Sequence, residues 1–210
     1  MIKVENTDVW GFEHAIRGMR NPMNSWEKSD SKPGDGIGEN DLKLMRGLYK
    51  AGSDHRKFMR QIMVSMDITA PLYWWKEFDT YKVGTVVNSC STMHKLMAKE
   101  FNTSDFSMER ADKDLISSIL SILNDLRDTY VNFDEHQAHN KFIKGVKRED
   151  VWYALIQVLP ESYNQRRTVT MNYEVAASMI NQRTGHRLDE WKEFVDTLRW
   201  DLPWLADIMD

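Results

Sequence analysis

Several groupings of side chains in this chain are of types that do chemistry. Gln165-Arg166-Arg167 forms a local basic spot just after Pro160, and Arg183 lies further on. Guanidinium groups bind phosphate oxygens in a fork, so either is suited to a phosphate-bearing ligand; the alternative is solvated surface. His136 and His139 lie three apart beside Asp134 and Glu135, a spacing that lets two imidazoles share a helix face and bind a metal. Their segment is strongly polar, which favours solvated surface, and no metal site is expected. Cys90 sits in Asn88-Ser89-Cys90-Ser91 with His94 four residues on. A nucleophilic cysteine needs a base held against it, and nothing local shows that arrangement, so a quiet, partly buried thiol is expected. Gly34, Gly36 and Gly38 give Gly-x-Gly-x-Gly with no strand before them, which reads as a flexible loop. Trp74-Trp75 offers flat ring faces, with core packing as the expectation.

The hydrophobic pattern supplies the elements that must position these groups. Ile2 to Val4 reads as a short strand, after which Asp8 caps a helix with Val9, Phe12, Ile16 and Met19 on one face. Residues 21–39 carry two prolines and three glycines and read as a long mobile loop. Asn40 starts a helix (Leu42, Met45, Leu48, Tyr49) that stops at Gly52. Residues 61–68 read as a strand, Pro71 opens a helix over 72–81, and 84–93 reads as an irregular loop. The clearest helix covers 108–133, with Ser107 as N-cap and an apolar stripe wide enough for burial on more than one side, which suits a helix central to the domain or to an oligomer. Residues 149–159 form a helix stopped by Pro160, 168–171 an extended segment, 173–183 a helix ending at Gly185, and 188–198 a last helix. The expectation is one helix-rich α+β domain over 1–210 with a small mixed or antiparallel sheet.

Composition narrows the function classes. The chain has 210 residues, 29% charged and 41% hydrophobic, with a formal net charge of -4. That balance excludes a protein that works by coating a nucleic-acid polymer with positive charge, while leaving room for a small anion in a local basic pocket. One cysteine permits neither an intrachain disulfide nor a cysteine-based zinc site. No run approaches 18 apolar residues, and a cytoplasmic protein with no membrane span is expected. The 8 Trp and 13 Met are the unusual entries. They suit adaptable cores, flat ligand-facing surfaces or oligomer contacts.

Two segments resemble the flavin-dependent thymidylate synthases. The first is Val158-Leu159-Pro160, Tyr163, Thr170-Met171-Asn172 and Arg183. Asn172 stands twelve residues after Pro160, and Arg183 eleven after Asn172, both as in the family's C-terminal signature. Trp191 falls where the family begins its last amphipathic helix. The second is Gly52 through Ser91, where Asn88 and Ser91 match the asparagine and second serine of the family's nucleotide loop. The order of elements agrees along nearly the whole chain. The chain also departs from the pattern. The family's basic arginine-histidine-arginine triplet falls on Tyr81-Lys82-Val83, and the glutamate after its asparagine on Ser89. Met93-His94 stand for an arginine-tyrosine pair. Ile156 and Glu174 each replace an arginine.

The resemblance implies a homotetramer with active sites at subunit junctions. It implies one-carbon transfer from methylenetetrahydrofolate to dUMP, a methyltransferase reaction, through FAD reduced by NADPH. Carried over residue by residue, Asn172 contacts flavin, with Lys82 standing in for one lost cation and Arg166 or Arg167 for another if the fold brings them close. Arg183, Asn88 and Ser91 contact the pyrimidine nucleotide. No catalytic residue is assigned. The alternative is the same scaffold with its chemistry lost, serving as a nucleotide-binding or regulatory oligomer. The missing cations motivate that reading, because each charge-assisted contact to phosphate contributes roughly 1.5–3 kcal/mol.

Overall fold

A computed structural model of the chain describes residues 1–93, 95–139 and 145–210. The strands are β1 (Lys3–Trp10), β2 (Met63–Pro71), β3 (Thr85–Ser89) and β4 (Asn164–Asn172). The α-helices are α1 (Phe12–Arg20), α2 (Glu39–Lys50), α3 (Leu72–Phe78), α4 (Lys113–Val131), α5 (Phe133–His139), α6 (Arg148–Val158), α7 (Tyr173–Arg183), α8 (Asp189–Asp201) and α9 (Leu205–Met209). The result is a helix-rich α+β fold with one small sheet, strand order β1-β2-β4-β3. The trace falls into two compact units, one of Met1, 70–75 and 89–166, the other of 2–69, 76–88 and 167–210.

The second unit holds most of the sheet. β1 pairs antiparallel with β2 from Lys3↔Thr69 to Trp10↔Met63, with a register irregularity between Glu5 and Asp8. On β2 the buried residues Val64, Met66 and Ile68 alternate with half-buried ones, the mark of a strand with one face in a core. Val169 and Met171 of β4 are buried in the same alternation. Helix α7 buries Tyr173, Ala176, Ala177, Met179 and Ile180, and α8 buries Trp191, Phe194, Val195 and Leu198.

Three expectations are corrected here. β1 runs to Trp10, so Asp8 and Val9 lie in the ladder and the helix begins at Phe12 after Gly11 (φ 99). Residues 85–89 form β3 and not an irregular loop, because they pair at the sheet edge next to β4. The 21–39 segment is a loop that is tied down. The buried Asp41 carboxylate accepts hydrogen bonds from Ser29 Oγ, Ser31 Oγ and the Asp30 and Ser31 N–H groups, and it pairs with the equally buried Arg20 at 2.6 Å. Burial raises the Asp41 carboxyl, but the hydrogen bonds from Ser31, Ser29 and Arg20 outweigh it and hold the group below its ordinary value.

The first unit centres on Leu96, Phe101, Phe106, Leu123 and Leu155, where α4 packs on α6. Helix α4 begins at Lys113, not near 108, because Asp112 caps it by accepting from the Asp114 and Leu115 N–H groups. Ser107 is instead drawn to the N-terminus: the Met1 amine donates to its Oγ, which donates to Asn164 Oδ1. Within the single chain the α4 stripe is buried on one side only. Leu123 is buried, while Leu115 and Ile122 are 53% and 56% exposed.

Trp74 and Trp75 are fully buried, and Trp75 Nε1 donates to the Gln165 carbonyl. Cys90 is exposed, against the expectation of partial burial, because the strand-like contacts that hold its segment are made by its backbone. Its N–H donates to the Arg166 carbonyl and its carbonyl accepts from Gln165 Nε2. His94 lies outside the described residues. His136 Nε2 bonds the Asp128 carboxylate at 2.7 Å on the surface.

Candidate functional site

The strand-to-helix junction at the end of β4 builds the site. Asn172 ends the strand and caps α7 by accepting the Val175 N–H at its Oδ1 (3.0 Å). That bond fixes the side chain and leaves the amide nitrogen Nδ2 available. Gly84, at φ 80, lies against this amide: a Cβ there would stand 2.9 Å from Asn172 Nδ2 and 3.1 Å from Val175 Cγ2. The backbone of the 82–84 turn therefore approaches the start of α7 as only glycine allows. Between them opens a cleft of about 370 Å³. Lys82, Val83, Asn172, Val175 and Ser178 line it together with Arg60 and Tyr81.

Two of the residues singled out in the sequence, Lys82 and Asn172, thus meet in one cleft 90 positions apart in the chain. Lys82 is exposed, and no described residue pairs with its ammonium group. Arg183 reaches the cleft wall through Tyr81, whose hydroxyl accepts from Arg183 Nε (2.9 Å) and donates to Gln182 Oε1 (3.1 Å). Asn88 and Ser91 are exposed and do not line the cleft; Ser91 Oγ accepts the Met93 N–H.

The electrostatics of the cleft differ from a phosphate clamp. Glu174, two residues after Asn172, bonds both Arg56 (3.2 Å) and Arg60. Burial raises its carboxyl, and the two arginines more than offset that, holding it below the usual carboxylate range. Arg183 is closed in as well. Its Nη1 pairs with Glu77 Oε2 at 2.7 Å, and its guanidinium lies over the Trp191 ring at 4.6 Å. Trp191 Nε1 donates to the same Glu77 oxygen (2.9 Å), which His186 Nε2 also approaches at 3.3 Å. Arg167, in the basic spot, pairs with Asp79 at 2.9 Å.

Sequence reasoning missed Glu77, Arg56 and Arg60. A signal for the arginines existed in Glu174: a carboxylate at a position where the resembled family has a cation calls for nearby positive partners. Nothing local flags Glu77, which is 106 positions from Arg183.

Among the described residues the cleft holds no activated nucleophile. Thr80 Oγ1 donates to the Glu77 carbonyl, and Ser178 Oγ accepts from Gln182 Nε2. What it offers is an amide edge, an apolar wall from Val83 and Val175, and, among the described residues, one unpaired cation. Next to Gly84, the buried Thr85 hydroxyl has no hydrogen-bond partner among the described residues. This set fits one planar heterocycle with a polar edge, such as a flavin ring system, by size and by donor type. It supplies Lys82 alone for a flavin's diphosphate.

No protein-family model matches the chain, and no curated protein matches its sequence. The fold does match solved structures. Thymidylate synthase X from Helicobacter pylori, crystallised with FAD and dUMP, superposes with a TM-score of 0.72 over 100% of this chain and 97% of that one, at 16% identity. A second structure of the same Helicobacter pylori enzyme, also with FAD and dUMP, gives a TM-score of 0.71 over 99% and 97% of the two chains, again at 16% identity. The chain therefore has the fold of these enzymes.

Proposed function

We propose that this protein binds a flavin ring in the cleft of Lys82 and Asn172 and acts on a pyrimidine deoxynucleotide, in the manner of a flavin-dependent thymidylate synthase. The single observation that carries the reading is the fixed Asn172 amide facing a glycine turn, at the position where the sequence signature of that family places its flavin-contacting asparagine. When bound, FAD supplies hydride transfer, with NADPH as reductant and methylenetetrahydrofolate as one-carbon donor to dUMP. The chain's own task is positioning. Asn172 Nδ2 would hold a polar edge of the ring, Val83 and Val175 would supply the apolar wall, and Lys82 would meet negative charge. Tyr81 links the cleft to Arg183, which with Asn88 and Ser91 serves the nucleotide.

A homotetramer working in the cytoplasm fits this reading. Leu115 and Ile122 on α4, with Tyr153 and Val158 on α6, leave apolar side chains half exposed, as a subunit contact requires.

One observation favours the second reading, a nucleotide-binding oligomer without the one-carbon chemistry. Arg183 is already paired with Glu77, and Arg56 and Arg60 with Glu174, so phosphate must compete with carboxylates for three of the cations. Titration of FAD into the protein, read by quenching of flavin fluorescence and repeated with dUMP present, separates the two. Saturable FAD binding supports the synthase reading; dUMP binding without FAD binding supports the second.

A further inference from the structure

Away from that cleft, one face of α1, the 26–37 loop and the N-cap residue of α9 line a second cavity of about 400 Å³. Its walls are aromatic: Phe12, Trp26 and Trp204, with Ile16 and Ile37 between them. Trp204 is held in a left-handed backbone conformation (φ 63), costly for a bulky residue, and its ring lies on Gly36, where a Cβ would stand 3.2 Å away. Trp26 is 50% exposed, and its Nε1 donates to Asn21 Oδ1, which tethers the indole while half of its surface stays accessible.

The charges around this cavity are unequal. Lys32 has no side-chain partner among the described residues, and Arg17 meets only the His14 ring at 3.3 Å. Arg20 is neutralised by Asp41, and among the described residues Glu13 is the one acid in the lining. The Asp41 hydrogen bonds to 29–31 hold the loop in place, so the cavity is formed in advance of any ligand.

We infer that this cavity is a binding site for a small aromatic anion, a planar ring taken between Trp26 and Trp204 with its negative group at Lys32 and Arg17. The volume suits a ligand of one or two fused rings. The indole faces supply stacking, and the excess of cations over Glu13 selects an anion over a neutral ring.

The test uses the full chain with naphthalene-1-sulfonate as probe and 1-naphthalenemethanol as the neutral control, read by quenching of tryptophan fluorescence and by isothermal titration. The expected result is saturable 1:1 binding of the sulfonate and weaker binding of the alcohol. Trp26→Ala should weaken the sulfonate about tenfold. Lys32→Glu should weaken it roughly fivefold while leaving the alcohol unchanged. Both residues are exposed, so both variants should fold. Lys82→Ala should leave the sulfonate affinity unaltered, which keeps the test independent of the flavin reading. Equal binding of sulfonate and alcohol overturns the proposal. So do variants that bind like the parent, or an apparent affinity that weakens as protein concentration rises because a second copy of the chain covers the cavity.

Discussion

The Nη1 of Arg183 sits 2.7 Å from the Glu77 carboxylate, and the same carboxylate oxygen takes the indole N–H of Trp191. An arginine that the sequence nominates for a phosphate is thus already engaged by an acid, with an aromatic face on its guanidinium. Any phosphate that uses it has to displace or share that partner.

Glu77→Gln tests this directly. The variant keeps an acceptor for Trp191 but removes the competing charge, so dUMP should bind several-fold more tightly by isothermal titration. The cost to fold stability should be about 1 kcal/mol, because Glu77 is partly exposed and such pairs are screened. Unchanged or weaker dUMP binding in a folded variant would remove Arg183 from the nucleotide site.

Glu174→Gln should act in the same sense on the cleft. It frees Arg56 and Arg60, and the affinity for FAD, which carries two phosphates, should rise relative to free riboflavin, which has none. The ratio of the two dissociation constants is the readout. A ratio that stays constant would mean that these arginines do not face the phosphates.

Gly84→Ala should destabilise the fold by about 1–2 kcal/mol, since alanine is strained at this positive φ. The new methyl also presses on the Asn172 amide, so flavin binding should fall by more than the stability loss explains. Chemical denaturation and FAD titration on the same preparation give both numbers.

Asp41→Asn leaves the buried Arg20 without its counter-charge and should cost about 3 kcal/mol. The pH dependence follows from the lowered Asp41 carboxyl. Its contribution is fully present above the unfolded-state value of 3.8 and is lost as the pH falls through the lower folded-state value. Between pH 5 and 3 the parent should lose stability more steeply than the variant in denaturant titrations. Parallel curves would count against an ionised Asp41 as the anchor of the 21–39 loop.

Much of the architecture was legible because it is written in local pattern. Helix α7 has the expected bounds, Tyr173–Arg183, since Asn172 caps it and Gly185 follows it. Helix α6 stops before Pro160, and α8 carries Trp191, Val195 and Leu198 inward as their spacing requires. The misses came from partners far off in the chain. β3 is a short edge strand whose sequence, Thr-Val-Val-Asn-Ser, has too little alternation to separate from a loop until β4 lies beside it. β1 extends to Trp10 because β2 offers a ladder, which overrode the helical spacing of Val9 and Phe12. Lys82 and Asn172 are nominated by the family signature, Lys82 at the place of its basic triplet and Asn172 by its spacing from Pro160, and the fold brings both to one cleft. The carboxylates that neutralise the arginines were not, because Glu77 and Glu174 meet their partners only across folded distance.

The most direct test of the central claim is the absorbance spectrum of the freshly purified protein, recorded before and after adding FAD and then dUMP. A flavin band that stays with the protein through gel filtration and shifts when dUMP is added is the predicted result. A colourless protein that retains no FAD and shows no spectral change would contradict it.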